Sequence, residues 1–367
     1  MGKAILIFLV VIAKCKASNL PLCTSATKAT PCIVSQDYNP ALPPQDSKPI
    51  IIKPVVGIVT IEIDEENQIV TLFMEMKLNW KSEKLDISNS NLSWYQIQDH
   101  GSIWHPTLYF DNMEKLKKLA GHGRNSNAEF WFHHSAKTLW YSEFVEVQVA
   151  CKMDFSGFPL DSNTCNITFG AYDFNDAWIR YESIIVAHSD VMIEKEEQIL
   201  LVPETTSPFE VQISQLKPFT TNFKTKMSNS NYSQTGFQIF LKRKEIGSLA
   251  STLYIPTATY AVFVHASYMM HQDAIPGRIG LIVTMFLMAS NVYIGIEAPS
   301  RRGFSYTETW IIGSQVPIVL ALVEFGFILG IQKYFKKCYD FRQLDLYSLI
   351  ISLVFYATFN LYYWSVV

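Results

Sequence analysis

CKMDFSGFPLDSNTC, Cys151 to Cys165, sets two cysteines around thirteen residues, with Phe158-Pro159-Leu160-Asp161 near the middle. Any secreted protein could use so short a loop as a surface staple. Its meaning depends on the flanking segments, which differ sharply. Upstream the chain reads as short alternating strands; downstream it reads as membrane helices.

With 367 residues, the chain is long enough for two domains or one large one. Its net charge of −3 argues against nucleic acid as a partner. Residues 1–17 combine a basic start, an apolar run too short to span a bilayer and a small-residue exit, the pattern of a signal peptide. In the oxidising lumen that follows, the simplest disulfides are Cys23–Cys32 and Cys151–Cys165, although the spacing also allows the crossed pairing. The sequons at Asn91, Asn166 and Asn231 all fall before residue 246, which fits an exported N-terminal half.

In TLFMEMKLNW, Leu72, Met74, Met76 and Leu78 share one face while Glu75, Lys77 and Asn79 share the other. Val145, Val147 and Val149 alternate with Glu146 and Gln148, and FQIFLK repeats the period. Period-two alternation broken by turn clusters predicts a β-sandwich of roughly ten strands over 18–245. Beyond it, the stretches 247–270, 279–296, 310–331 and 346–367 are almost free of charge and near the ~20 residues that cross a bilayer. Four such stretches predict a helical membrane domain over 246–367, with both termini extracellular. The connection 332–345, which carries Lys333, Lys336, Lys337 and Arg342, is then cytoplasmic, as positive-inside charge bias requires.

An exported β-sandwich, a Cys-x13-Cys loop with Phe-Pro-x-Asp and four terminal spans together resemble the Cys-loop receptors, the pentameric ligand-gated ion channels. Met153-Asp154, Ile103-Trp104-His105-Pro106, Tyr254-Ile255-Pro256 and Leu322-Val323-Glu324-Phe325 carry the resemblance further. It is nearest to an invertebrate-like orphan subunit on the anion-selective side. The resemblance implies a plasma-membrane channel made with four further subunits, here a homopentamer, set in lipid and opened by a small-molecule agonist bound between subunits. It implies no cofactor and no nucleic acid. An enzyme is not expected, since no ordered nucleophile, base and acid set is found.

The resemblance also implies roles. The enclosed loop presses Phe158, Pro159 and Asp161 against the membrane helices, and its disulfide restrains the segment by about 3 kcal/mol in the chain-entropy treatment. Glu65, in an acidic turn, and Arg243, before the first span, belong to the same coupling region, with Tyr306 as receiver. In the second span Gly280, Thr284, Leu287, Asn291 and Ile294 recur at spacings of four and three and so share one helical face. Around a five-fold axis they would line a pore shut by dewetting at Leu287; the alternative is a helix-packing face glued by Thr and Asn. Pro276-Gly277-Arg278 is similar to the anion-selective motif and would set Arg278 at the inner end to attract chloride, while Glu297 at the outer mouth favours cations. Anion selectivity is the expectation; a cation channel and a non-conducting accessory subunit are the alternatives.

For the agonist, family positions match Trp80, Phe110, Asp111, Tyr172, Tyr232 and Phe237, whose aromatic faces would attract a cationic amine. Strand parity offers core packing as the competing role for Trp80. His100, His105, His122, His133 and His134 cluster in sequence, but no spacing defines a metal site.

Overall fold

The computed structural model describes residues 20, 31–44, 48–87, 93–97, 100–118, 128–188, 191–193, 198–202, 208–224, 229–244, 249–271, 273–295, 305–335 and 342–366. The expected signal peptide, Cys23, Asn91, His122 and Glu297 lie outside them. The chain divides into two compact units. One comprises Met1–Lys152, Thr164–Ser207 and Val211–Phe240; the other comprises Met153–Asn163, Pro208–Glu210 and Leu241–Val367. The change of unit along the last long strand falls at 240/241, and most of the segment enclosed by Cys151 and Cys165 is grouped with the helices.

The first unit is built on two long antiparallel strands, Ile69–Lys81 and Thr138–Ala150, paired so that Leu72 faces Val147 and Met74 faces Val145. Val70, Leu72, Met74, Met76 and Leu78 are completely buried while their neighbours stay half-exposed, as the alternation predicts. Each such side chain contributes about 2 kcal/mol of apolar burial. Strand Ile50–Asp64 pairs with Ile69–Lys81 and shifts register between Ile58 and Thr60, which leaves Val59 exposed. These strands anchor a nine-stranded sheet. A five-stranded sheet runs in the order Ile199–Val202, Phe209–Lys224, Asn229–Arg243, Ser162–Ala171, Leu108–Phe110. Phe169 of this sheet meets Tyr181 of the larger one edge to face at 6.0 Å, so aromatic side chains fill the space between them. The described residues form sixteen strands rather than ten, because edge pieces of three or four residues, such as Pro31–Ile33 and Leu85–Ile87, are too short to show an alternation.

In the second unit three helices are long and apolar enough to cross a membrane: α3 (Ile275–Ile294), α4 (Tyr306–Phe335) and α5 (Arg342–Val366). The 20 residues of α3 rise about 30 Å, the thickness of a hydrocarbon core. The first expected span, 247–270, is not one helix. It opens with a π-helical turn, Ala250–Tyr254, continues as α1 (Ile255–Phe263) and, after a turn at Val264 and His265, ends as α2 (Ala266–Met269). Pro256 sits in the first turn of α1, where its missing N–H costs least. At the break, His265 N–H donates to Val262 O and Ser267 N–H to Val264 O, the tighter i→i−3 pattern.

Two buried clusters join these helices. Val264, Tyr268, Ile282, Ala289, Ile318, Ala321 and Phe325 form one; Leu253, Tyr254, Trp310, Ile311 and Tyr363 form the other. In the second, Trp310 Nε1 donates to Thr257 Oγ1 at 2.8 Å, and the Tyr254 and Tyr363 hydroxyls pair at 2.9 Å, so each buried polar tip is satisfied.

Two glycines permit close approaches. A methyl on Gly236 would overlap the Ile167 carbonyl on the adjoining strand, and one on Gly313 in α4 would sit in the Phe359 ring of α5. Gly236→Ala and Gly313→Val should each cost at least ~1–3 kcal/mol through overpacking. Both are expected to lower the surface yield of full-length protein several-fold, while Gly326→Ala, whose added methyl meets nothing within the chain, leaves it unchanged. Surface biotinylation measures this, and equal yields for all three would contradict the packing.

Candidate functional site

Cys151 and Cys165 are joined by a disulfide, with their Cα atoms 5.5 Å apart. Cys32 is also disulfide-bonded, and its expected partner Cys23 lies outside the described residues. Within the enclosed segment Asn163 Oδ1 accepts from Asp154 N–H at 2.7 Å, and Asn163 Nδ2 donates to Asp161 Oδ2 at 3.2 Å, so the loop is tied across its neck.

Arg243, at the end of strand Asn229–Arg243, meets this loop in a forked ion pair. Its Nε donates to Asp161 Oδ1 at 2.7 Å and its NH2 to Asp161 Oδ2 at 3.3 Å. Both side chains are almost wholly buried, and the guanidinium also lies over Phe158 at 4.8 Å and Phe209 at 4.4 Å. Planar aromatic faces suit a guanidinium, which is more weakly hydrated than an ammonium. The carbonyl of Phe158 then accepts from Thr307 N–H at 3.2 Å and from Thr307 Oγ1 at 3.1 Å, one residue into α4. The loop, the residue before the first helices and the start of α4 thus share one contact cluster within the helical unit. Pro159 is buried there behind a cis peptide bond.

The start of α4 is fixed by reciprocal capping: Ser305 N–H donates to Glu308 Oε2 and Glu308 N–H to Ser305 Oγ. Ser305-Tyr-Thr-Glu308 is legible as a capping box in the sequence, although the sequence reading passed over it. Tyr306 packs half-buried against the Trp310 cluster. Glu65 lies in the turn between strands Ile50–Asp64 and Ile69–Lys81. In that turn, hydrogen bonds from Asn67 to Asp64 hold its carboxyl below the usual carboxylate range.

On α3 the expected face is present: Gly280, Thr284, Leu287, Asn291 and Ile294 are all exposed in the single chain, with Leu287 at 55%. Thr284 Oγ1 donates back to Gly280 O at 2.6 Å, so its hydroxyl is partly satisfied within the helix. Arg278 departs from the expectation. It is fully buried, and its NH2 donates to Asp345 Oδ1 at 2.9 Å and to Glu324 Oε2 at 3.3 Å, with the guanidinium over Phe325 at 4.7 Å. Two residues on a helix differ by about 200°, so a side chain at 278 points away from the face begun at 280.

The expected aromatic ligand positions separate into two groups. Trp80, Phe110 and Phe237 are core side chains: Trp80 packs edge to face on Trp104 at 5.5 Å, Phe110 lies 5.4 Å from Phe169, and Phe237 has no exposed surface. Their burial follows from parity, since each sits on the inward register of its strand. Tyr172 is 67% exposed and lies 6.2 Å from the half-exposed Tyr109, and Tyr232 is half-buried. Asp111 is held in place by Thr168 Oγ1 at 2.7 Å and Gln234 Nε2 at 3.2 Å.

The sequence reading gave no role to the polar face of the two central strands. Glu75 pairs with Lys77 at 2.8 Å and accepts from Ser142 Oγ at 2.7 Å, flanked by the stacked Phe73 and Phe144. The outward alternation of Glu75, Lys77 and Asn79 was its signal. A cleft of about 880 Å³ lies beyond, walled by Trp94, Trp140 and His133 and by the Lys53–Glu182 ion pair. On the inward face, Tyr141 donates to the buried Glu143, and burial, reinforced by that carboxylate, pushes the Tyr141 phenol up. Asn166 and Asn231 are exposed. His105 packs against Phe130 and Tyr141, and no group of side chains among the described residues could hold a metal ion.

Residues 31–245 match the family model described as the neurotransmitter-gated ion-channel ligand binding domain. The gamma-aminobutyric acid receptor subunit rho-3 of Rattus norvegicus is 24% identical over 297 residues, 77% of this chain and 58% of that protein. Subunits rho-2 of Bos taurus and rho-1 of Homo sapiens are each 25% identical over 318 residues, 82% of this chain, covering 62% and 61% of their own lengths. The chain therefore spans about three-fifths of these relatives.

Removing one member of a buried ion pair costs about 3–5 kcal/mol, because the other charge is stranded. Asp161→Ala and Arg243→Ala are each expected to abolish surface expression of the full chain, while Asp161→Glu retains a measurable fraction. Flow cytometry of an N-terminally tagged protein reads this; normal expression of Asp161→Ala would refute the role given to the pair.

Proposed function

The chain belongs to the neurotransmitter-gated ion-channel family, one of receptors rather than enzymes, and on that premise we propose that it is a subunit of a pentameric, ligand-gated anion channel. The observation that carries this reading is the exposed face of α3. A helix of membrane length sets Gly280, Thr284, Leu287 and Asn291 along one side that the rest of the chain leaves uncovered. Repeated in five copies around an axis, that face forms a water-filled path with a leucine ring as its apolar neck, closed by dewetting.

In this reading the chain crosses the plasma membrane four times, the broken stretch through α1 and α2 acting as the first span, and both termini are extracellular. A homopentamer is the simplest assembly. Among the expected positions, the exposed Tyr172 and the half-buried Tyr232 are the ones we place beside an agonist at the subunit interface. Glu75, Lys77 and Ser142 add a charged, hydrogen-bonding surface to which a small zwitterion is suited. The relatives are named as receptors for γ-aminobutyric acid, which makes that compound the first agonist to test. Agonist binding shifts the chain between two states only if it binds them unequally. Phe158, held by Arg243 and bonded to Thr307, passes the change to α4.

The test is voltage clamp of cells expressing the full chain, with γ-aminobutyric acid and other small amines and amino acids as candidate agonists. Leu287→Thr is expected to raise the current at rest or to increase agonist sensitivity at least tenfold. Replacing external chloride with gluconate is expected to move the reversal potential in the positive direction, and replacing sodium to leave it in place. A shift with sodium alone indicates a cation channel. A well-expressed Leu287→Thr protein with unaltered gating refutes the pore face.

A further inference from the structure

Glu324 lies in the middle of α4 among apolar residues. Its side chain is only 10% exposed, and its Oε2 receives one hydrogen bond, at 3.3 Å, from an Arg278 nitrogen that also serves Asp345 at the shorter distance of 2.9 Å. The second oxygen, Oε1, is buried and receives no hydrogen bond from a donor among the described residues, and the Asp345 carboxyl lies beside the Glu324 carboxyl. Glu324 also lines a pocket of about 320 Å³. Tyr268 and Ser348 add hydroxyls to its inner side, and Val323, Phe327 and Ile351 form its walls. Those three are 63%, 60% and 66% exposed, so the pocket opens between α4 and α5 onto the apolar surface of the helices. It lies about 25 Å along α4 from Thr307, well away from the Phe158 contact.

Ionisable groups inside membrane helices are costly to hold and mark functional positions. Here a carboxylate shares one guanidinium with a second carboxylate and keeps an oxygen without a donor. The volume is at the small end of ligand clefts. An anion would be repelled by Glu324, and an uncharged alcohol would supply a hydrogen bond only about half as strong as a charged one. An ammonium offers several N–H donors to Oε1 and to the hydroxyls, while the open, greasy mouth suits a hydrocarbon chain. We propose that this pocket binds a primary ammonium carried on an apolar chain, with Glu324 as its counter-ion. The ammonium has two possible sources, a free amphiphilic amine or the headgroup of an aminophospholipid.

The test is calorimetric titration of the purified full chain in phosphatidylcholine nanodiscs with n-octylamine and, in parallel, 1-octanol, with empty nanodiscs subtracted. Wild type should bind octylamine saturably and octanol only by partitioning. Glu324→Gln should weaken octylamine at least tenfold. Ser348→Phe, a bulky change at a pocket-lining residue that is not itself a member of the Arg278 pairs, should do the same and keeps the test valid if Glu324→Gln disturbs the helices. Repeating the titration with phosphatidylethanolamine in the nanodiscs separates the sources: a weaker apparent affinity assigns the pocket to the lipid headgroup, an unchanged one to a free amine. Saturable octanol binding of equal affinity overturns the proposal, as does unchanged octylamine binding in either folded variant. The readout is binding, so failure of the channel reading would not mask it.

Discussion

A guanidinium and a carboxylate, both withdrawn from water, tie the disulfide-closed loop to the end of the last long strand. Arg243 comes at the very end of the last long strand, and Asp161 from a loop whose neck is closed by Cys151–Cys165. Neither charge is tolerable there alone. Their fork fixes two points of the chain that are far apart in sequence, and Phe158 and Phe209 close over the guanidinium. With Phe158 fixed, its carbonyl is available to both donors of Thr307. A flexible loop would lose that geometry to conformational entropy; the disulfide and the Asn163 ties reduce how much there is to lose.

The helical unit uses the same device a second time. Arg278, Asp345 and Glu324 bring α3, α5 and α4 to one point, with Phe325 beneath the guanidinium. Such a junction explains how α5, whose surface is mostly exposed, is tied to α3, whose outward face is also exposed. In the proposed channel it also means that the Arg278 charge is already engaged by carboxylates rather than offered to ions. An anion preference then draws on other fields, among them the positive N-terminal end of α3. The other end of the bundle relies instead on aromatic packing, where Tyr254, Trp310 and Tyr363 satisfy their polar tips on one another or on Thr257.

Much of this was legible one residue at a time. Alternation in TLFMEMKLNW marked the buried face of a central strand, and Leu72, Met74, Met76 and Leu78 are buried as read. The uncharged stretches beginning at 279, 310 and 346 became three long helices, since length and hydropathy are local properties. Reading failed where a position had to be assigned a neighbour. Family position groups Trp80, Phe110 and Phe237 with an agonist site, while strand parity, already the competing reading for Trp80, agrees with their burial in the chain. Arg278 is expected at the inner end of its span, where it would attract chloride, and composition does not show that Asp345 and Glu324 bury it. The stretch 247–270 looked continuous because composition does not record the turn at Val264 and His265.

The sequence by itself determined the division into a strand-rich and a helical half, the inward and outward sides of the main strands, and the polar stripe on α3. Each is a periodicity, set by the backbone geometry of one element. Only the tertiary structure decided which charges meet: Arg243 with Asp161, Arg278 with Asp345 and Glu324, and Phe158 with Thr307. A buried charge takes whichever partner the packed chain brings within about 3 Å, and that distance belongs to no single stretch of sequence.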